Sequence, residues 1–236
     1  FSYELVAPPG KETKRLYKQL SSVAENTAHW LIIGERGTGK STSVNFIYEK
    51  GIQFSGPLVK IDGNEISKTK GNNNDNGEYS KLKTMFQAAK GGVLYIREID
   101  QFNSYLQDEL LQLINKQKKN EDFTQVIMTS EKCIEELKEC MIPKLFNNFV
   151  KDHIILPSLK GNKDYILYFA SYFIEFANFT LNKEVEGMEI PLQKYLVEYD
   201  WPGNIQELKN IIIKAVLLTD DRIISSDIIP DLFENS

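Results

Sequence analysis

Gly34-Glu35-Arg36-Gly37-Thr38-Gly39-Lys40-Ser41 follows a short apolar run, HWLII at 29–33, and opens a segment carrying Val44, Phe46 and Ile47 at helical spacing. This is GxxxxGK[ST] in the context its chemistry requires, between a buried strand and a helix. Glycines let backbone N–H groups turn inward around phosphates, and the helix N-terminus adds its dipole. Lys40 is placed to reach the outer phosphates, and Ser41 offers a hydroxyl to Mg²⁺. The expected nucleotide contacts are therefore Gly34, Glu35, Arg36, Gly37, Thr38, Gly39, Lys40, Ser41 and Thr42. Arg36 either steadies a terminal phosphate or stands in solvent at the loop crest.

Outward from this loop, strands and helices alternate. Residues 12–27 carry Leu16, Leu20 and Val23 at helical spacing, and PLVKID at 57–62 reads as a second strand. A Gly/Asn-rich stretch at 67–80 has nothing apolar to bury before Tyr79 and reads as an exposed, mobile loop. A helix over 80–90 leads into GGVLYIREID, a third strand, and a helix over 104–117 follows. TQVIMTS at 124–130 is a fourth strand, 131–140 a helix, and HIILP at 153–157 a fifth strand. After Leu159 the pattern turns helical, with helices expected at 162–179, 191–199, 204–219 and 226–233. Asn204 with Glu207 after WPG reads as a capping box. The expectation is an α/β parallel sheet with flanking helices over 12–158, a small all-helical lid over 159–236, and a linker remnant over 1–11.

The 236 residues are 42% hydrophobic and 26% charged, enough to bury a core and unlike a disordered or disulfide-built chain. Lysines and arginines number 28 against 33 acids, a net charge of −5, so a strongly basic nucleic-acid footprint is absent. Only Arg15, Arg36, Arg97 and Arg222 are arginines, which makes each placement informative. The basic cluster Lys116, Lys118 and Lys119 precedes Glu121 and Asp122 and reads as a solvated helix end. No basic start with an apolar block opens the chain, and the apolar stretch Tyr165 to Phe179 holds Glu175 and falls short of the about 20 residues of a membrane span. Cys133 and Cys140 share a helix face without a second pair, and His29 and His153 sit among apolar residues. Reduced thiols and packed imidazoles in a cytoplasmic protein follow.

Three segments, LIIGERGTGKS, GGVLYIREID and WPGNIQELKNIIIKAVLL, resemble the AAA+ domain of bacterial enhancer-binding proteins, the sigma-54-dependent transcription activators. That family reads GESGTGKE, GGTLFLDEI and WPGNVRELxNxIxRAVLL at these places, and the agreement extends over about residues 12–233. The resemblance implies an ATP- or ADP-binding AAA+ domain of a transcription regulator. It also implies self-association through AAA+ faces. In such proteins a response-regulator receiver or sensor domain precedes this one, and DNA binding lies in a further domain.

Several positions depart from the family. Arg97 stands where the family has an Mg²⁺-holding aspartate, while Glu98, matching the acid that polarises the attacking water, is kept. A cation there repels Mg²⁺ and compromises phosphoryl chemistry. Ile142 and Asn148 match the family's arginine fingers, each such finger being worth roughly 10³–10⁵ in rate. Gln206 replaces the nucleotide-sensing arginine of the lid. Ser130 and Asp62 replace polar asparagines, and residues 65–80 lack the GAFTGA loop that touches the sigma factor.

Three readings follow. In the first, the domain binds ATP or ADP as a regulatory ligand with little or no hydrolysis and without contact to sigma-54 or RNA polymerase. Arg97 then either approaches the phosphates in place of the metal or pairs with Glu98 or Asp62. In the second, it is an active ATPase motor, with Lys144 or Lys151 as a finger and Asp100 as a compensating acid (Asp100 could equally cap a neighbouring helix). In the third, it is a scaffold without nucleotide, against which the complete loop argues.

Overall fold

The computed structural model describes residues 10–53, 55–67, 76–117, 123–151 and 153–233. The described residues form two compact units: 14–34 with 40–156, and 10–13 with 35–39 and 157–233. Lys118 and Lys119, most of the Gly/Asn-rich stretch and most of the expected linker lie outside the described residues.

In the first unit, α1 (Lys11–Ala24) precedes β1 (Trp30–Ile33), and α2 (Lys40–Lys50) follows. Then come β2 (Leu58–Asp62), α3 (Gly63–Ser67), α4 (Asn76–Ala88), β3 (Val93–Arg97), a single 3-10 turn Ile99–Gln101, and α5 (Ser104–Lys116). Last are β4 (Gln125–Ser130), α6 (Ile134–Cys140), α7 (Pro143–Phe149) and β5 (His153–Ile155). All five strands are parallel, in the order β2-β3-β4-β1-β5. Both faces are covered, which is why the strands read as continuous apolar runs. Leu31, Ile33, Leu94, Ile96, Val126 and Met128 face one core layer with Leu82, Leu106, Leu110 and Phe149. The alternate residues Ile32, Tyr95, Ile127 and Ile154 face another with Leu20, Val44 and Ile47.

Parallel strands put their C-terminal ends on one edge, and β1 sits inside the sheet between β4 and β5. The chain leaves β1 for β2 on the far side of β4 and β3, so the loop after β1 lies where the strand order switches. Ligands bind at such a place in open α/β sheets.

α7 was not expected from the sequence. Ile142 is extended, Pro143 takes the first helical position, and Leu145, Phe146 and Phe149 are buried. Proline's fixed φ suits that position, and this Pro plus the 145/146/149 spacing is the signal that identifies the helix. The helix expected over 80–90 begins at Asn76, and α3 is an additional short turn capped by Asp62, whose Oδ1 accepts the Asn64 N–H at 2.9 Å.

In the second unit, α8 (Lys163–Leu181), β6 (Gly187–Met188), α9 (Ile190–Glu198), α10 (Asn204–Leu218), β7 (Ile223–Ile224) and α11 (Ile229–Phe233) follow one another. The lid is helical apart from the two-residue parallel pairing of β6 with β7. Ile166, Phe169, Ala170, Phe173 and Ile174 of α8 are buried with Leu208, Ile211, Ile212 and Ala215 of α10, as the apolar spacing of both helices dictates. Trp201 is wholly buried and its indole N–H donates to the Leu196 carbonyl at 2.7 Å, satisfying its polar end.

Only half of the expected capping box forms, because the N-cap residue is Gly203, which has no side chain to accept a backbone N–H. Glu207 Oε2 accepts the Gly203 N–H at 2.7 Å, and the Asn204 side chain is used elsewhere.

Candidate nucleotide site

Lys40 opens α2 and is buried, its ammonium donating to the Gly34 carbonyl at 2.7 Å and lying 3.5 Å from Glu131 Oε1. Gly34 N–H donates to the Ser130 carbonyl at 3.2 Å, which anchors the start of the loop to the end of β4. The Ser41 hydroxyl lies 3.0 Å from the Tyr95 hydroxyl, and Tyr95 is 1% exposed on β3. Thr42 is exposed in the first turn of α2.

Around the ends of β2, β3 and β4, charged groups pair with one another. Asp62 and Arg97 are register partners, and Arg97 Nη1 lies 3.3 Å from Asp62 Oδ2. Of the two placements open for Arg97, the structure therefore shows the pairing with Asp62. Glu98 takes a left-handed conformation with φ 50, an uncommon one for a side chain bearing a Cβ. Gly63 allows this, since a Cβ there would stand 2.3 Å from the Glu98 carbonyl oxygen. Glu98 Oε2 accepts the Glu131 N–H at 3.3 Å. Burial pushes the Glu98 carboxyl pKa up, Lys40 opposes this, and the negative charges of Glu131 and Asp100 add to it. A carboxyl raised by burial and by neighbouring charges is a recognised mark of functional sites.

Asp100 Oδ1 accepts the Ser130 hydroxyl at 2.5 Å, and its Oδ2 accepts the Gln101 side-chain amide at 2.9 Å and lies 3.6 Å from Lys132 Nζ. The sequence did not single out Glu131, Lys132 or Tyr95. They come to the site because β4 lies between β1 and β3, an order invisible to local pattern.

In the second unit, residues 35–39 of the loop meet the start of α10. Gly37 has φ 79, and a Cβ on it would stand 2.0 Å from the Gly203 carbonyl oxygen, so only glycine fits. Gln206 N–H donates to the Gly37 carbonyl at 3.2 Å, while the Gln206 side-chain amide donates to Asn210 Oδ1 at 3.1 Å along its own helix. Asn204, fully buried, donates to Glu35 Oε2 and to the Arg36 carbonyl, both at 3.0 Å. Its Oδ1 accepts the Leu159 N–H at 2.8 Å. Thr38 Oγ1 donates to the Glu35 carbonyl at 2.8 Å, and Gly39 has φ 97. Arg36 is exposed, its carbonyl held by Asn204.

The positions matched to fingers carry no cation: Ile142 packs partly into the core and Asn148 is exposed on α7. Lys144 and Lys151 are exposed. His29 accepts the Val126 N–H at 2.9 Å through Nδ1 and stacks on Phe123, and His153 Nδ1 lies 2.7 Å from the Val150 carbonyl oxygen. Among the described residues, no helix is long and apolar enough to cross a membrane.

The model of the sigma-54 interaction domain matches residues 9–159, and that of the AAA+ ATPase lid domain matches 162–236. The nitrogen fixation protein AnfA of Azotobacter vinelandii is 23% identical over 96% of this chain and 46% of its own length. The regulatory protein AtoC of Escherichia coli (strain K12) is 25% identical over 90% of the chain and 50% of its own length. The chain thus spans about half the length of these curated relatives. NtrX from Brucella abortus, solved in complex with ATP, superposes with a TM-score of 0.79 at 16% identity, covering 98% of this chain and 55% of that one. At that identity the likeness concerns the AAA+ fold. With well over half its residues matched by one family model, this chain belongs to the sigma-54 interaction domain family of transcription regulators.

Proposed function

We propose that this domain binds ATP or ADP as a regulatory ligand, with little or no hydrolysis, within a bacterial transcription regulator. The observation that carries the reading is the contrast between a complete phosphate loop ending at buried Lys40 and a β3 end where Arg97 replaces a carboxylate and pairs with Asp62. NtrX, whose fold is similar, has been solved with ATP and with ADP. Binding in such a loop relies on backbone N–H groups and one lysine, which this chain retains. Hydrolysis relies on a charge pattern around the γ-phosphate, and that pattern has changed.

The same reading extends to partners. Residues 65–80 carry EISKTKGNNNDNGEYS in place of the sigma-touching sequence, so the domain acts without sigma-54 contact despite its family. DNA binding falls to the part of the protein beyond this chain, and self-association uses AAA+ faces.

The retained Glu98, with its raised carboxyl, favours a second reading as an active ATPase motor. Two measurements separate them: binding of a fluorescent nucleotide, and steady-state phosphate release. Binding without release supports the regulatory ligand. Release abolished by Lys40→Ala establishes the motor instead.

A further inference from the structure

We infer that this site takes its nucleoside di- or triphosphate free of a divalent cation, with Tyr95 as the positioning residue that directs the Ser41 hydroxyl into the sheet. The inference rests on the nucleotide-binding reading above and concerns the form of that ligand.

Mg²⁺ requires near-octahedral oxygen ligands at short distance, and in phosphate sites takes one or two carboxylates besides the phosphates and water. The oxygens that could serve include those of Ser41, Asp62, Glu98 and Asp100, and each of these residues already holds at least one partner. Ser41 Oγ lies 3.0 Å from the Tyr95 hydroxyl. Tyr95 is 1% exposed, and a buried phenol keeps a hydrogen-bond partner. Asp62 uses Oδ2 for Arg97 at 3.3 Å and Oδ1 for the Asn64 N–H at 2.9 Å. Asp100 uses Oδ1 for the Ser130 hydroxyl and Oδ2 for Lys132 at 3.6 Å. Glu98 Oε2 takes the Glu131 N–H at 3.3 Å. Arg97 ends β3, where its positive charge opposes a second cation. The donor set does not fit the metal.

Phosphate charge is then met by Lys40 and the N–H groups opening α2, an 11-residue helix. A metal-free ligand is the chemical form that such a site selects.

Titration of the intact protein with a fluorescent ADP analogue, once in excess EDTA and once in excess MgCl₂, tests this. The dissociation constants should agree within about two-fold, since no ligand shell rewards the metal. Binding tightened tenfold by Mg²⁺ overturns the inference. Binding in neither buffer overturns the nucleotide reading itself, and this inference with it. The double variant Tyr95→Phe/Arg97→Asp frees the Ser41 hydroxyl and restores a carboxylate, and should make affinity respond to Mg²⁺ by roughly tenfold. A folded double variant that stays indifferent to Mg²⁺ removes Tyr95 and Arg97 from the explanation. Electron paramagnetic resonance of Mn²⁺ with the wild-type ADP complex needs no variant. A bound-metal signal beyond that of free nucleotide overturns the inference, and its absence supports it.

Discussion

Two segments at the same edge of one sheet have met different fates. After β1 the chain keeps each residue of its phosphate loop, and Lys40 is buried with its ammonium on the Gly34 carbonyl. After β3 a carboxylate position has become Arg97, whose partner Asp62 lies directly across in register. The first segment recognises phosphate mainly through backbone N–H groups, glycine conformations and one lysine, so it tolerates change around it. The second, in the proposed reading, depends on side-chain charge, which a single substitution reverses. Binding and turnover can therefore separate in one domain.

If the loop dominates affinity, Lys40→Ala should have the largest effect. Loss of a charge-assisted hydrogen bond costs about 2–3 kcal/mol, or roughly 30- to 150-fold in Kd by fluorescence titration. A change below about three-fold would collapse the contrast between the segments.

Next comes Asn204→Ala, which tests whether the crest of the loop depends on the residue that holds it. The change leaves the Leu159 N–H and the Arg36 carbonyl without that partner. A loss of about 2 kcal/mol is expected, lowering Tm by roughly 4–8 °C in a calorimetric melt. An unchanged melt would show these bonds to be replaceable by water.

Glu131→Gln bears on the link between the two segments, because Glu131 approaches Lys40 with its side chain and Glu98 with its backbone N–H. The Glu131 side chain is 47% exposed, so the gain is under about 1 kcal/mol, seen as up to roughly five-fold tighter nucleotide binding. Weaker binding in the variant would mean that Glu131 helps Lys40 rather than competing for it.

The smallest effect belongs to Glu98→Gln. Burial raises the Glu98 carboxyl above its ordinary 4.5, so the folded protein holds that proton more tightly than the unfolded chain. Its contribution to stability therefore falls as pH rises from 4.5 through the raised value and stays low above it. The variant should melt above wild type at neutral pH, with the gap closing as pH falls below 4.5. A gap that widens on acidification has the wrong sign for a buried carboxyl.

Much of the fold was legible in the sequence because its signals are local. The apolar run at 30–33 followed by glycines and Lys40 specifies strand, turn and helix with little help from the rest of the chain. The apolar spacing of α8 and α10 likewise encodes which faces they bury. Candidate loop residues, Glu98 and Arg97 were legible for the same reason, as members of short contiguous motifs. Asn204 was legible as a residue of note and misread in role: its spacing to Glu207 suggested a cap, while its buried amide holds the Glu35 carboxylate and the Arg36 carbonyl. α7 went unread because its apolar residues span barely two turns.

By itself, then, the sequence determined the five strands of the sheet and most of the helices around them, the phosphate loop and the presence of a cation where an acid was expected. Only the tertiary structure decided what that cation does and what surrounds the lysine. Arg97 meets Asp62 because β2 and β3 are neighbours, Ser41 meets Tyr95 because α2 covers the face from which Tyr95 projects, and Glu131 meets Lys40 because β4 pairs with β1. Each contact joins residues far apart in sequence through a strand order that does not follow the chain. Local periodicity reports which face of an element is apolar, and long-range pairing is set by how those faces stack.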